Sequence, residues 1–270
     1  MTDGLPYRLI ATDLDGTLLD PAETVTDRTR AALAAATAAG AVHVIVTGRA
    51  VTWARPVFEA IGYTGTAVCG QGAQVYDAGS DRLLTSLTLD RQLARLALAK
   101  LTAELGPPAV AAARDGLDGA VLALPTYRLM GSGELPLTVV TDPAELFAAP
   151  IGKLFVQHPD LTTDQLTEAA QRIIGDLVTV TMAGEGIVEL LPLGLSKATG
   201  LAVAARRLGL KAADTIAFGD MPNDLPMFRW AAHGVAMAGA HQELLAVADE
   251  VTAGNDADGV ALVLERLYGT

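Results

Sequence analysis

Residues 8–17 read Arg8-Leu9-Ile10-Ala11-Thr12-Asp13-Leu14-Asp15-Gly16-Thr17. A short apolar run, Arg8 to Thr12, stops at two carboxylates and a glycine. Such a run, bounded by a turn signal, reads as a strand that ends at Asp13. The pattern then repeats. Thr26 to Ala39 reads as a helix, capped by Thr26 or Asp27 and ended by Gly40. Val42 to Val46 is a β-branched run that stops at Thr47-Gly48-Arg49. Ala50 to about Ile61 reads as a helix limited by Pro56, and Thr66 to Cys69 as a third strand. This βαβα rhythm implies a parallel sheet with helices on both faces.

The C-terminal part resumes the rhythm. Ser196 to Leu208 reads as a helix ending near Gly209, and Thr215 to Phe218 as a strand that stops at Gly219-Asp220. Leu225 to Trp230 reads as a short helix, His233 to Met237 as a strand, Gln242 to Ala248 as helical and Gly259 to Tyr268 as a closing helix. The middle differs. Pro107-Pro108, Pro125, Gly131-Ser132-Gly133, Pro136, Pro143 and Pro150 punctuate it. Two helical patterns, Leu89 to Leu105 and Thr162 to Ile174, sit among strand-like runs at Gly119–Leu124, Lys153–Gln157, Val178–Thr181 and Ile187–Leu191. Strands and helices without a parallel repeat suggest an inserted α+β domain. The expected organisation is an α/β fold: a Rossmann-like three-layer parallel-sheet core of residues 1–83 and 190–270, with an α+β cap of residues 84–189.

Composition narrows the function classes. The 270 residues are 51% hydrophobic, enough for a sizeable core. The formal charge is 19 minus 31, or −12, which argues against a nucleic-acid groove or an anionic membrane as partner. Cys69 is the one cysteine, so no intramolecular disulfide can form, and the four histidines show no metal-ligand pairing. Met1 to Tyr7 lacks the features of a secretory signal, and no uncharged apolar stretch approaches the roughly 18 residues of a membrane span. A cytoplasmic protein, monomer or homodimer, is expected.

Four polar clusters carry the chemistry. Asp13 and Asp15, at i and i+2 on an extended segment, would point the same way and open into the crevice at the strand's C-terminal end. Two close carboxylates need a cation or a shared proton to coexist. Magnesium, a hard cation held by carboxylates, phosphate oxygens and water, supplies one. One carboxylate can then attack phosphorus while the other passes a proton to the leaving oxygen. Thr47-Gly48-Arg49 offers a hydroxyl and backbone N–H groups to phosphate oxygens, though a helix cap also accounts for Thr47. Lys197, in the first turn of a helix, opposes the macrodipole, which makes sense if it neutralises a phosphoryl group or a nucleophile; a solvated lysine is the plainer reading. Gly219-Asp220-Met221-Pro222-Asn223-Asp224 again sets acids at a strand end, within reach of a metal held by Asp13. Gly70-Gln71-Gly72 lacks the third glycine of a nucleotide-binding turn. Trp53 and Trp230, beside the motif segments, read as core residues before pocket residues.

In order, spacing and placement these clusters resemble the four motifs of the haloacid dehalogenase (HAD) superfamily of phosphohydrolases, in its Cof-like branch with a C2-type (IIB) cap. The resemblance spans essentially the whole chain. It implies that Asp13 is the nucleophile and a magnesium ligand. Asp15 would be the general acid, then the base, with its backbone carbonyl on the metal. Thr47 would hydrogen-bond the phosphoryl group, helped by backbone N–H groups near Leu14 and Gly48, and Lys197 would balance charge between Asp13 and that group. Asp220 would complete the metal site, Asn223 would face the phosphate or orient the loop, and Asp224 would act on the metal or through water. Arg49 and Gln71 would help bind substrate. Many relatives carry Asn-Gly-Ala where this chain has Gln71-Gly72-Ala73, so the contact geometry there must differ. The implied activity is magnesium-dependent hydrolysis of a small phosphorylated metabolite, the cap closing over the site and reading the leaving group. A phosphomannomutase-like phosphotransferase and a non-catalytic ligand-binding protein on the same scaffold are the alternatives.

Overall fold

The computed structural model describes residues 4–128 and 137–269; the predicted turn at Gly131-Ser132-Gly133 and Pro136 lies outside them. In chain order the strands and helices are β1 (Leu9–Thr12), α1 (Asp27–Ala38), β2 (Val42–Val46), α2 (Val51–Ile61), β3 (Thr66–Cys69), β4 (Gln74–Asp77) and β5 (Arg82–Ser86). Next come α3 (Arg91–Leu105), β6 (Ala109–Arg114), β7 (Val121–Ala123), β8 (Leu137–Val139), β9 (Ile151–Gln157), α4 (Thr163–Ile174), β10 (Thr179–Gly184) and β11 (Ile187–Leu191). The chain ends with α5 (Lys197–Arg207), β12 (Thr215–Gly219), α6 (Leu225–Trp230), β13 (His233–Ala236), α7 (Gln242–Leu245), β14 (Glu250–Val251) and α8 (Gly259–Tyr268). The described residues divide into two compact units: 4–49, 54–84 and 196–269 in one, 50–53 and 85–195 in the other.

The first unit is built on a sheet of eight strands among the described residues, in the order β14-β13-β12-β1-β2-β3-β4-β5. From β14 to β3 neighbouring strands are parallel. Alternate residues of each strand feed opposite faces, so both faces must be covered. Leu9, Ala11, Val44 and Val46 pack on one side against Leu201 and Ala205 of α5, Met227 and Phe228 of α6, and Leu244 of α7. Ile10, Ile216, Phe218 and Val235 pack on the other against Ala32 and Ala36 of α1 and Val260, Val263 and Leu264 of α8. The result is the expected three-layer α/β arrangement. The sheet is parallel only in part: β4 returns antiparallel to β3, pairing Gln74 with Cys69 and Asp77 with Thr66. The polar, glycine-rich Gly70–Gly72 turn that joins them carries no apolar periodicity, which is why the hairpin is not visible in the sequence.

The second unit has a mixed sheet in the order β10-β11-β9-β6-β7-β8. On one face Val110, Ala112, Leu154, Val156, Val188 and Leu190 meet α3 and α4 through Ala97, Leu101, Leu166 and Ala170. On the other, Ala111, Ala113, Val121, Ala123 and Phe155 cluster with Ala50 and Trp53. Trp53 is therefore a packing residue, its ring 5.9 Å from that of Phe155. Lys153 and Glu189 form a buried ion pair.

Candidate active site

Within the first unit, every residue that the sequence assigns to chemistry lies at the C-terminal end of a parallel strand or at the start of α5. This is the edge where such sheets bind ligands. Asp13 follows β1, and its N–H donates to the Phe218 carbonyl at 3.0 Å, which ties it to the end of β12. Thr47 follows β2 and donates its N–H to Val68 of β3 at 2.8 Å. Asp220 follows β12 directly.

The chain leaves the strand direction at Asp13. Leu14–Leu18 forms a wide turn closed by the Leu19 N–H on the Leu14 carbonyl at 2.9 Å, with Gly16 at φ 72°. This corrects the expectation that Asp13 and Asp15 point the same way. Asp13 is buried, whereas the Asp15 side chain is about half exposed and forms a fork with Arg49: Nη2 to Oδ1 at 2.5 Å and Nε to Oδ2 at 3.0 Å. The pleat is already broken at Leu14, between the two carboxylates, where the backbone is helical, while Asp15 itself is extended at φ −76° and ψ 131°. Gly16, left-handed at little cost to glycine, then turns the chain. It also makes room: a Cβ there would lie 2.3 Å from Asp220 Oδ2.

Lys197 is buried, and the surface-lysine reading fails. Its Nζ lies 2.8 Å from Asp13 Oδ1 and 2.6 Å from Asp224 Oδ1. Burial alone would lower its pKa, but the two carboxylates outweigh that and hold the ammonium above its ordinary range. Asp224 has both oxygens engaged, Oδ1 by Lys197 and Oδ2 by the N–H groups of Asp220 and Met221 at 3.1 Å each. It anchors both the lysine and the loop that carries Asp220.

The remaining partners are short-range. Asp13 Oδ1 also accepts from the Leu14 N–H at 2.7 Å, so that N–H, expected to face a phosphoryl group, holds the carboxylate. The Thr47 hydroxyl accepts from the Arg49 N–H at 3.0 Å, a local cap that leaves its own proton to donate. Asn223 is buried, and its Nδ2 donates to Gln71 Oε1 at 3.2 Å. Thr17 has no role in the sequence reading, yet its hydroxyl donates to Asp220 Oδ1 at 3.1 Å. Its place in the Asp-Leu-Asp-Gly-Thr run is the signal that could have found it.

Asp13, Asp220 and Asp224 each offer an oxygen within 4.8 Å of the others. Burial, with the neighbouring carboxylates, pushes Asp13 well above the usual carboxylate range despite Lys197, and pushes Asp220 up to about 7. Two buried carboxylates and one partly buried, facing one ammonium, lack positive charge. An oxygen-seeking divalent cation fits that deficit.

The family model for haloacid dehalogenase-like hydrolases matches residues 10–264. A 5-amino-6-(5-phospho-D-ribitylamino)uracil phosphatase of Bacillus subtilis is 28% identical, with 96% of this chain and 98% of the relative covered. An HMP-PP phosphatase of Serratia proteamaculans is 30% identical over 88% of this chain and 86% of its own. The solved structure of a haloacid dehalogenase-like hydrolase from B. subtilis superposes with a TM-score of 0.81 at 25% identity, covering 96% of this chain and 99% of that one. With the motif order and the sheet-edge site already in place, the chain belongs to the haloacid dehalogenase-like hydrolases, in their Cof-like branch.

Proposed function

We propose that this chain is a magnesium-dependent phosphatase that hydrolyses a small phosphomonoester by way of a phosphoryl group carried on Asp13. The observation that carries the reading is the buried contact of Lys197 with Asp13 and Asp224, beside Asp220. A surface turn has no use for a desolvated cation between carboxylates, whereas transfer of a dianionic group to a carboxylate needs one.

Asp13, Asp220 and the Asp15 backbone carbonyl would hold the magnesium ion, with Asp224 behind them; when bound, it supplies positive charge to the phosphoryl oxygens. An Asp13 carboxylate oxygen forms a bond to phosphorus as the ester P–O bond breaks, and Asp15, as the acid, gives its proton to the departing alkoxide. Asp15 then takes a proton from water, whose oxygen attacks phosphorus. The P–O bond to Asp13 breaks, which frees inorganic phosphate and restores the carboxylate. Lys197 offsets charge on Asp13 and the phosphoryl oxygens throughout, and Thr47 donates its hydroxyl proton to one of those oxygens. Residues 84–189 are assigned the choice of leaving group.

Phosphate release from a panel of phosphorylated metabolites and from p-nitrophenyl phosphate tests the reading. Turnover is expected with magnesium, and loss of turnover with EDTA and in Asp13→Asn. Turnover retained by Asp13→Asn overturns it.

A further inference from the structure

Gln71 sits where its surroundings give a glutamine no backbone reason to be. It lies between Gly70 and Gly72 with φ 60° and ψ 25°, and it is 1% exposed. This is the left-handed region, which glycine enters freely and asparagine more readily than other residues. Glutamine is one methylene longer than asparagine and lacks its local backbone hydrogen bonds, so the benefit must come from where its amide reaches.

That amide touches two other segments of the site. A Cβ at Gly48 would lie 2.6 Å from Gln71 Nε2 and 3.1 Å from Cδ, so the side chain rests against the bare Cα of Gly48. Its Oε1 accepts from Asn223 Nδ2 at 3.2 Å. The loop itself is clamped. Gly70 N–H donates to Arg49 and Gln71 N–H to Thr47, at 2.8 and 3.2 Å. A Cβ at Gly72 would lie 2.1 Å from the Ser196 carbonyl, directly before Lys197. A fixed backbone thus projects a side chain of fixed reach between Gly48 and Asn223.

Asn223 is 6% exposed, and with Nδ2 committed to Gln71 its Oδ1 has no hydrogen-bond partner among the described residues. A buried acceptor without a donor is costly, and a ligand hydroxyl, a protonated phosphate oxygen or a bound water would satisfy it.

We infer that Gln71 is a positioning residue of the phosphoryl site: wedged against Gly48, its amide holds the Asn223 amide with Oδ1 presented to the ligand. The inference rests on the phosphatase reading for the identity of that ligand. It also accounts for glutamine in place of asparagine. The shorter side chain would suit the backbone better and fall short of Asn223.

Changes at Gln71 should therefore reach the ligand through Asn223. The test uses inorganic phosphate as the probe, with the magnesium-loaded protein, by calorimetry and as an inhibitor of p-nitrophenyl phosphate turnover, alongside thermal melting. Gln71→Asn suits the backbone better but leaves the buried Asn223 Nδ2 without its acceptor, so it is expected to melt no higher than wild type and to bind phosphate roughly three- to tenfold more weakly, the worth of one misplaced hydrogen bond. Gln71→Gly, which keeps the backbone and deletes the amide, is expected to lose phosphate affinity to a similar extent. Because Gln71 acts through Asn223, the pair Gln71→Asn with Asn223→Ala should bind phosphate no more weakly than Asn223→Ala alone. Wild-type phosphate binding in Gln71→Asn and Gln71→Gly, or losses that multiply in the double variant, overturn the inference while leaving the phosphatase reading intact. Phosphate binding with the expected coupling but no turnover of any ester overturns that reading and upholds this one; a wild-type protein that binds no phosphate overturns both.

Discussion

Lys197 Nζ stands 2.8 Å from Asp13 and 2.6 Å from Asp224, with all three side chains buried. The ammonium therefore serves chemistry and stability together. Removing one member of a buried ion cluster leaves the rest uncompensated, at a cost of about 3–5 kcal/mol. Lys197→Met, close in volume and uncharged, is expected to lower the unfolding free energy from urea denaturation by an amount in that range. It should also cut kcat for p-nitrophenyl phosphate by roughly a hundredfold or more. Excess magnesium should recover part of the stability, since it neutralises the same carboxylates, and none of the turnover. Stability and kcat close to wild type would contradict the assigned role.

The metal site can be reached through a glycine. Gly16 has φ 72°, and a Cβ there would lie 2.3 Å from Asp220 Oδ2 and 2.8 Å from its Cγ. Asp220 cannot swing aside freely, because Thr17 holds its other oxygen at 3.1 Å. Gly16→Ala is expected to cost about 1 kcal/mol of stability for the left-handed backbone. The displaced carboxylate should raise the magnesium concentration for half-maximal activity by about tenfold. An unchanged magnesium requirement would remove Asp220 from the metal site.

Protons and magnesium compete for the same carboxylates. Burial and neighbouring carboxylates push Asp220 up to about 7 and Asp13 well above its usual range, whereas in the unfolded chain such groups titrate near about 4. Between those values the folded protein holds protons that the unfolded chain has released. The stability of the metal-free protein therefore falls as pH rises from about 4 towards 7. Magnesium binds the ionised carboxylates and displaces those protons. The gap in melting temperature between magnesium and EDTA samples is expected to widen from about pH 5 to about pH 8. A gap independent of pH would mean that the cation binds elsewhere.

The strands that end at the site are legible in the sequence for a physical reason. Val42–Val46 and Thr66–Cys69 match their predicted bounds because such strands, inside the sheet and covered on both faces, are short apolar runs cut off by polar turns. Ala109–Arg114 is the opposite case. Ala-Val-Ala-Ala-Ala-Arg has helix-forming composition, yet it is a strand between β9 and β7, because alanine fits where both faces of the sheet are covered. The site shows the same division. Motif residues announce themselves by their position after strands. Thr17 and Asp220, 203 positions apart, and Gln71 and Asn223, 152 apart, meet only through side-chain placement that no local pattern encodes.

Asp15 offers the sharpest separation of chemical steps. Its carboxylate is about half exposed, is paired with Arg49 and is not one of the clustered carboxylates of Asp13, Asp220 and Asp224, so replacing it leaves that cluster's contacts in place. As the acid, it matters only when the leaving oxygen needs a proton. As the base, it matters for every substrate when water attacks the phosphoryl group on Asp13. Asp15→Asn should therefore slow an alkyl phosphate at the first step, by roughly 100- to 10,000-fold. p-Nitrophenolate leaves without protonation, so with its ester the first step should stay fast and the second become limiting. The expected signature is a burst of nitrophenolate approaching one equivalent per enzyme, followed by slow turnover, with phosphate retained on the protein in the burst. Equal losses on both esters with no burst would take the proton-transfer role away from Asp15 and leave it as Arg49's surface partner.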